Sequence, residues 1–277
     1  MSVRNAILDL VQRRTLLPER LDTALAGPGR DVGDLTVVVT GASAGIGRQA
    51  VTQLRARGAT VIAVARREDE LRTLAGETGC YWRTCDLADQ DATARMLEEL
   101  SGERVDVLVN NAGHSIRRSI VDATDRLHDY QRTMSLNYLA AVQLSLGLLP
   151  GMIERGRGQV VNVCTWGLHA NTFPRFSAYA ASKSALAIFG RSLGAERPHP
   201  GICATNVYFP LVRTEMIAPT VEYAGAAALS AEEAGRWIVR AVTHQPVEVS
   251  PAVLRAVLPT IDLISPAAAD RALAALT

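Results

Sequence analysis

Tyr179 and Lys183 stand four residues apart in Tyr179-Ala180-Ala181-Ser182-Lys183. That is about one helical turn, so the two side chains share a face. A phenol titrating near ~10 is a poor acid–base catalyst at neutral pH. An ammonium beside it favours the phenolate and draws that value down, which suits the pair to exchanging a proton with a substrate oxygen. A second stretch, Thr40-Gly41-Ala42-Ser43-Ala44-Gly45-Ile46-Gly47, has the composition of a phosphate cradle. Its glycines let the backbone approach a ligand closely. A helix starting there aims unpaired N–H groups and a positive dipole end at an anion. The spacing is G-x-x-x-G-x-G, not the G-x-G-x-x-G of the usual dinucleotide fingerprint.

Regular elements must hold both stretches in place. An apolar run over 35–39 reads as a buried strand leading into the glycines. A helical pattern follows over 45–57, stopped by Gly58, and a second apolar run covers 60–65. This is a βαβ unit. Further strands are predicted over 80–84, 105–109, 159–165 and 203–209, with helices over 89–101 and 125–154. Pro150 is expected to kink or end the second of these helices. Ser230 caps another, with Glu233 at capping-box distance, running to about Thr243. Ser250-Pro251 and Ser265-Pro266 read as helix starts, and Val253, Leu254, Val257, Leu258 and Ile261 form an apolar face between them. That face is expected at a subunit interface or beside the substrate cleft. The division expected is an N-terminal arm over 1–33, one α/β domain over 34–249 and a helical extension over 250–277. In the arm, Ile7, Leu10 and Val11 make a short apolar stripe.

The chain has 277 residues, a net charge of +1 and no block of like charge, which argues against a nucleic-acid surface. Cys80, Cys85, Cys164 and Cys203 lack metal-ligand spacing, so no metal is expected and the thiols read as small buried groups. Residues 2–17 are interrupted by Arg4, Asp9, Arg13 and Arg14, unlike a signal peptide. The most apolar run, 144–153, falls short of the ~20 residues a membrane span needs. No transmembrane segment is expected, and the expected location is the cytoplasm.

Three more stretches follow the glycine turn: Asn110-Asn111-Ala112-Gly113, then Asn137, and, after Tyr179 and Lys183, Pro210-Leu211-Val212-Arg213-Thr214. In this order and at these separations, the set resembles the short-chain dehydrogenase/reductase family over about 35–246. The resemblance implies a Rossmann-type doubly wound parallel sheet, three-layer α/β/α, in a single domain. It implies a nicotinamide dinucleotide along Gly41, Ser43, Ala44, Gly45, Ile46 and Gly47. Asp86 would accept from the adenine amino group, with Leu87 as its apolar contact. Asn111, Ala112 and Gly113 would turn against the cofactor. Pro210, Val212 and Thr214 would meet the carboxamide, and Lys183 the nicotinamide ribose beside Tyr179. Asn137 would hold a water in the proton relay. The family's catalytic serine is replaced by Thr165, which keeps a hydroxyl. Its separation from Tyr179 is one residue longer than usual, which an insertion near Asn171-Thr172-Phe173 accounts for. Leu211 stands where glycine is commoner. Homodimers or homotetramers are implied.

The second strand ends Val64-Ala65-Arg66-Arg67. Ala65 occupies the place where an acid would favour NAD. The Arg66 guanidinium, with Arg67 beside it and Arg48 nearby, suits a 2′-phosphate, so the cofactor predicted is NADPH, with NAD less favoured. Residues 110–118, 174–186 and 210–220 are similar to bacterial fatty acyl-CoA reductases. The implied substrate is a hydrophobic carbonyl compound: an acyl thioester, an aldehyde or a β-keto lipid, with a polyketide-like ketone as the rival. Residues 215–229 are expected to cover it, and His114 and His169 to border the pocket. A cofactor-binding protein without redox turnover is the alternative; a Thr165 hydroxyl remote from Tyr179 would favour it. A Cys164 nucleophile lacks an adjacent base.

Overall fold

A computed structural model describes residues 27–218, 220, 223 and 225–276. The apolar stripe on Ile7, Leu10 and Val11 lies outside the described residues. The apolar runs become β1 (Thr36–Thr40), β2 (Thr60–Ala65), β3 (Tyr81–Thr84), β4 (Val107–Asn110), β5 (Gly158–Thr165) and β6 (Ile202–Phe209). Two short strands follow, β7 (Val212–Arg213) and β8 (Leu229–Ser230), and then β9 (Glu248–Val249). Seven of these strands form one parallel sheet in the order β3-β2-β1-β4-β5-β6-β9, while β7 and β8 pair separately. Strand order reverses between β1 and β4, which opens a crevice at the carboxyl ends of these strands.

The helices are α1 (Gly45–Arg55), α2 (Glu68–Thr78), α3 (Gln90–Leu100), α4 (Leu127–Met134), α5 (Ala140–Glu154), α6 (Ser177–Glu196), α7 (Ala231–His244), α8 (Ala252–Ile264) and α9 (Pro266–Leu276). Side chains alternate across the sheet as the pleat requires. Val37 and Val39 face one core with Leu54, Leu71 and Ile238 from α1, α2 and α7. Val38 and Leu108 face the other with Met96, Leu144 and Met152 from α3 and α5. The result is a three-layer α/β/α domain.

Some boundaries differ from the sequence expectation for physical reasons. Pro150 lies inside α5 and does not end it, because Leu148 and Met152 on either side are anchored in the core. Between α4 and α5 the rod passes through a π turn, Ser135–Leu139. The whole run Leu127–Glu154 is long and apolar enough to cross a membrane by length and composition. Its Asn137, Leu144 and Met152 are nevertheless buried against the sheet and α6, as in a core helix. Ser230 and Glu233 form the capping box that their spacing predicts. Helix α8 starts one residue later than expected, because the Ser250 hydroxyl bonds His169 Nε2 (2.7 Å) and Pro251 takes the cap position.

Candidate active site

The chain leaves β1 at Gly41, whose φ of +65° is a left-handed conformation that glycine tolerates. A Cβ on Gly41 would lie 2.8 Å from Ala112 Cα, and one on Gly47 would run into the Gly41 carbonyl oxygen. Thr40 Oγ1 accepts from the N–H groups of Asn111 (2.9 Å) and Ala112 (3.0 Å). The Asn111 amide donates to Thr40 O (2.8 Å) and Gly41 O (3.2 Å). These bonds lock the turns after β1 and β4 to each other. Ala44 caps α1 without a side-chain hydrogen bond, and the first turn carries no acidic residue. Ala44, Gly45 and Ile46 line a cleft of about 1680 Å³. The first N–H groups of α1 thus face an anion site, and a dinucleotide's pyrophosphate fits this cradle. Gly47→Ala is expected to weaken nucleotide binding more than tenfold in a fluorescence titration. The overlap with the Gly41 carbonyl should also lower Tm by roughly 5 °C in a thermal melt.

Ser43, Arg66 and Arg67 gather at the tip of β2 on the cleft wall. Arg67 Nε donates to Ser43 Oγ (3.3 Å), and its NH1 meets Glu215 Oε2 (3.2 Å) across the mouth. Arg66 is 70 % exposed and lies 3.8 Å from Asp86 Oδ2. Asp86 and buried Leu87 line the same end. Arg48 departs from the expectation: it turns away from the cleft to Glu77 (2.6 Å), because α2 presents acids beside it.

At the other end stand Thr165, Tyr179 and Lys183, each on the wall. The Thr165 hydroxyl stands near enough to the Tyr179 phenol to favour its ionised form. The extra residue between them is taken up by a short 3-10 turn, Trp166–Ala170, and by Asn171 and Arg175 in left-handed conformations. Lys183 Nζ donates to Val163 O (2.7 Å). Burial brings its pKa down to about 8. Burial also pushes the Tyr179 phenol up, and the Cys164 thiol adds to this while Thr165 opposes it. Lys183, engaged with the β5 backbone, is not among the groups that shift the phenol here; the expected lowering included the charge of an oxidised nicotinamide. Cys164 packs with Ala187 and Tyr208, and burial raises its thiol to about 12, which leaves it inert.

Asn137 is fully buried in the π turn and does not line the cleft. Its Oδ1 accepts from His114 N (2.9 Å), and its Nδ2 donates to His114 O (3.0 Å) and Ser182 Oγ (3.0 Å). A Cβ on Gly113 would meet Asn137 Oδ1 at 2.9 Å and Lys183 Nζ at 3.3 Å. Asn137 therefore fixes the Gly113–His114 turn against α6, a positioning task. Gly47 likewise packs behind the cradle and not on the wall. Pro210, Val212 and Thr214 line the centre, where the Thr214 methyl stands 3.0 Å from the place a Gly45 Cβ would take. His114 borders the cleft, whereas His169 is drawn behind it by Ser250 and Tyr208. Among the described residues no group of three His, Cys, Asp or Glu could hold a metal.

Sequence reasoning missed two sets of residues. Asn110, Asn162 and Asn206 pair in register across β4, β5 and β6, each amide bonded to the next (3.0 and 3.2 Å). Asn206 also donates to Ala187 O (2.8 Å), tying the strands to α6, which carries Tyr179 and Lys183. An asparagine inside each of three apolar strands was the available signal. The second set, Trp166, Phe173 and Phe176, lines the cleft together with Met216 and Ile217 from the segment expected to cover the substrate. Its members lie in irregular segments that carry no period.

The short chain dehydrogenase family model matches residues 35–224. The chain is 43 % identical over 249 residues to a fatty acyl-CoA reductase of Mycobacterium tuberculosis (strain ATCC 25618 / H37Rv), covering 86 % of this chain and 84 % of that protein. It is 44 % identical over 218 residues to a fatty acyl-CoA reductase of Acinetobacter baylyi, covering 76 % and 73 %. Among solved structures, a putative NAD(P)-dependent gluconate 5-dehydrogenase from Beutenbergia cavernae with bound NADP superposes with a TM-score of 0.72 at 28 % identity. That superposition covers 81 % of this chain and 98 % of the other.

Proposed function

The chain belongs to the short-chain dehydrogenase family, and from that premise we propose that it is an NADPH-dependent reductase of a long, hydrophobic carbonyl compound. The names of the two fatty acyl-CoA reductases point to an acyl thioester or the aldehyde derived from it. The observation that carries the reading is that Thr165, Tyr179 and Lys183 line the same cleft as the glycine turn.

A bound nicotinamide cofactor supplies the hydride for the carbonyl carbon. This chain's own residues manage the oxygen. Tyr179, kept neutral by burial, is loaded with the proton that the oxygen must receive. Thr165 donates a second hydrogen bond to the same oxygen and so stabilises the charge that develops there. Lys183, anchored on Val163 O, adds a buried positive charge beside the reacting end. Trp166, Phe173 and Phe176 exclude water from it.

The preference for NADPH rests on Ser43, Arg66 and Arg67 around the tip of β2, with Ala65 where an acid would stand. Fluorescence titration with NADPH and NADH tests it. Arg66→Ala is expected to weaken NADPH about tenfold and to leave NADH unchanged, as for one exposed charge-assisted contact. Failure of the protein to bind either nucleotide would overturn the reductase reading itself.

A further inference from the structure

We propose that α8 and a row of aromatic rings form the two walls of an unbranched acyl-chain seat, in which Leu254 and Leu258 set the chain length accepted. This rests on the hydrophobic carbonyl substrate inferred above. The rings form a row that starts at the reacting phenol and ends at Trp166, next to Thr165 in the chain. Centroid separations are 6.3 Å from Tyr179 to Phe176, 4.8 Å from Phe176 to Phe173, and 5.8 Å from Phe173 to Trp166. Phe173 lies against Gly167, where a Cβ would come within 2.5 Å of the ring. Leu254 and Leu258 of α8 line the same cleft.

No residue of α8 is fully buried; Val253, Leu254, Leu258 and Ile261 are half-buried on its apolar face. Polar ties add to this packing. Asn171 Nδ2 donates to Asp262 Oδ2 (2.7 Å), Ser250 Oγ bonds His169 Nε2 (2.7 Å), and Arg255 Nε reaches Glu248 Oε2 (3.4 Å). The first two ties come from the segment between Thr165 and Tyr179 that is one residue longer than usual. Asn171 holds a φ of +56°, a conformation that asparagine tolerates better than most residues, while its amide grips Asp262. The longer segment and the C-terminal extension thus work as one device, a clamp that holds two leucines over an aromatic floor. Flat rings facing leucine side chains suit a methylene chain.

The test is calorimetric titration of the intact protein with 1-alkanols of increasing length, from butanol to dodecanol. Each added methylene is expected to tighten binding roughly fourfold until the seat is filled, after which the constants level off. Leu258→Trp should move that levelling to a shorter chain and weaken dodecanol at least tenfold more than butanol. Leu254→Phe should act in the same direction. Asn171→Ala, which unties α8, should flatten the slope. NADPH titration of each variant checks the fold from the far end of the cleft. Affinities independent of chain length, or a levelling point unmoved in both leucine variants, would overturn the proposal. NADPH turnover of an aldehyde is read separately. Turnover without chain-length dependence sinks the seat and leaves the reductase; chain-length dependence without turnover sinks the reductase and leaves the seat.

Discussion

Tyr179→Phe is expected to lower kcat about a thousandfold while NADPH affinity and Tm stay near those of the parent. The substitution removes one oxygen and keeps the ring, so the edge contact with Phe176 survives. The Thr165 hydroxyl still lines the cleft. What disappears is the proton that the carbonyl oxygen needs in the transition state, a contribution of about 10²–10⁴ in rate. Steady-state kinetics with an aliphatic aldehyde, beside a nucleotide titration, checks it. A loss of less than tenfold would mean that water or Thr165 supplies the proton and that the phenol is only part of the wall.

Lys183→Met is expected to destroy activity and to stabilise the protein. The ammonium is 3 % exposed, and burial lowers its pKa from 10.5 to about 8. The folded state therefore holds this proton less tightly than the unfolded chain does. Between pH 8 and 10.5 the unfolded chain binds more protons, so stability rises with pH across that window. Below it the charged lysine costs the fold about 3 kcal/mol. Methionine removes that cost but forfeits the bond to Val163 O, worth about 1 kcal/mol. The net gain of about 2 kcal/mol corresponds to roughly 5 °C in Tm at pH 7. The gain should shrink as pH rises above 8 and vanish before pH 10.5, where the unfolded lysine is half neutral and the folded one neutral. In the parent enzyme the same group should give kcat/KM an alkaline limb near pH 8, as the ammonium loses its charge. Thermal melts across pH and a pH–rate profile read these effects. A variant less stable than its parent at pH 7 would show that the lysine's contacts outweigh its desolvation.

Such a site trades stability for chemistry, and only part of it was legible from residue order. The glycine turn was legible because Gly41 and Gly47 answer to local sterics: one needs a left-handed φ, the other has a carbonyl where a Cβ would be. Tyr179 and Lys183 share a face because four residues make about one helical turn wherever the helix lies. The strands showed in their apolar runs, and the capping box at Ser230 and Glu233 in its spacing. Other features were hidden in the order of residues. That the amide of Asn137 ties the turn at Gly113 and His114, far back in the chain, was not legible. Arg48 was expected only to add positive charge nearby, and α2 brought Glu77 to it. The tail's leucines had an apolar face, but nothing local said what it would meet.

The sequence by itself determined the βαβ units, the phosphate cradle and the pairing of phenol with ammonium, because each depends on neighbours within a turn or a strand. Only the tertiary structure decided that the phenol is raised, that the ammonium is lowered and bonded to β5, and that α8 brings Leu254 and Leu258 to the cleft. These properties depend on desolvation and on contacts between distant segments. Thr165 meets Tyr179 across a loop, and Asn171 grips Asp262 across ninety-one positions of chain. No local period encodes such meetings; they exist once the sheet has brought the segments together.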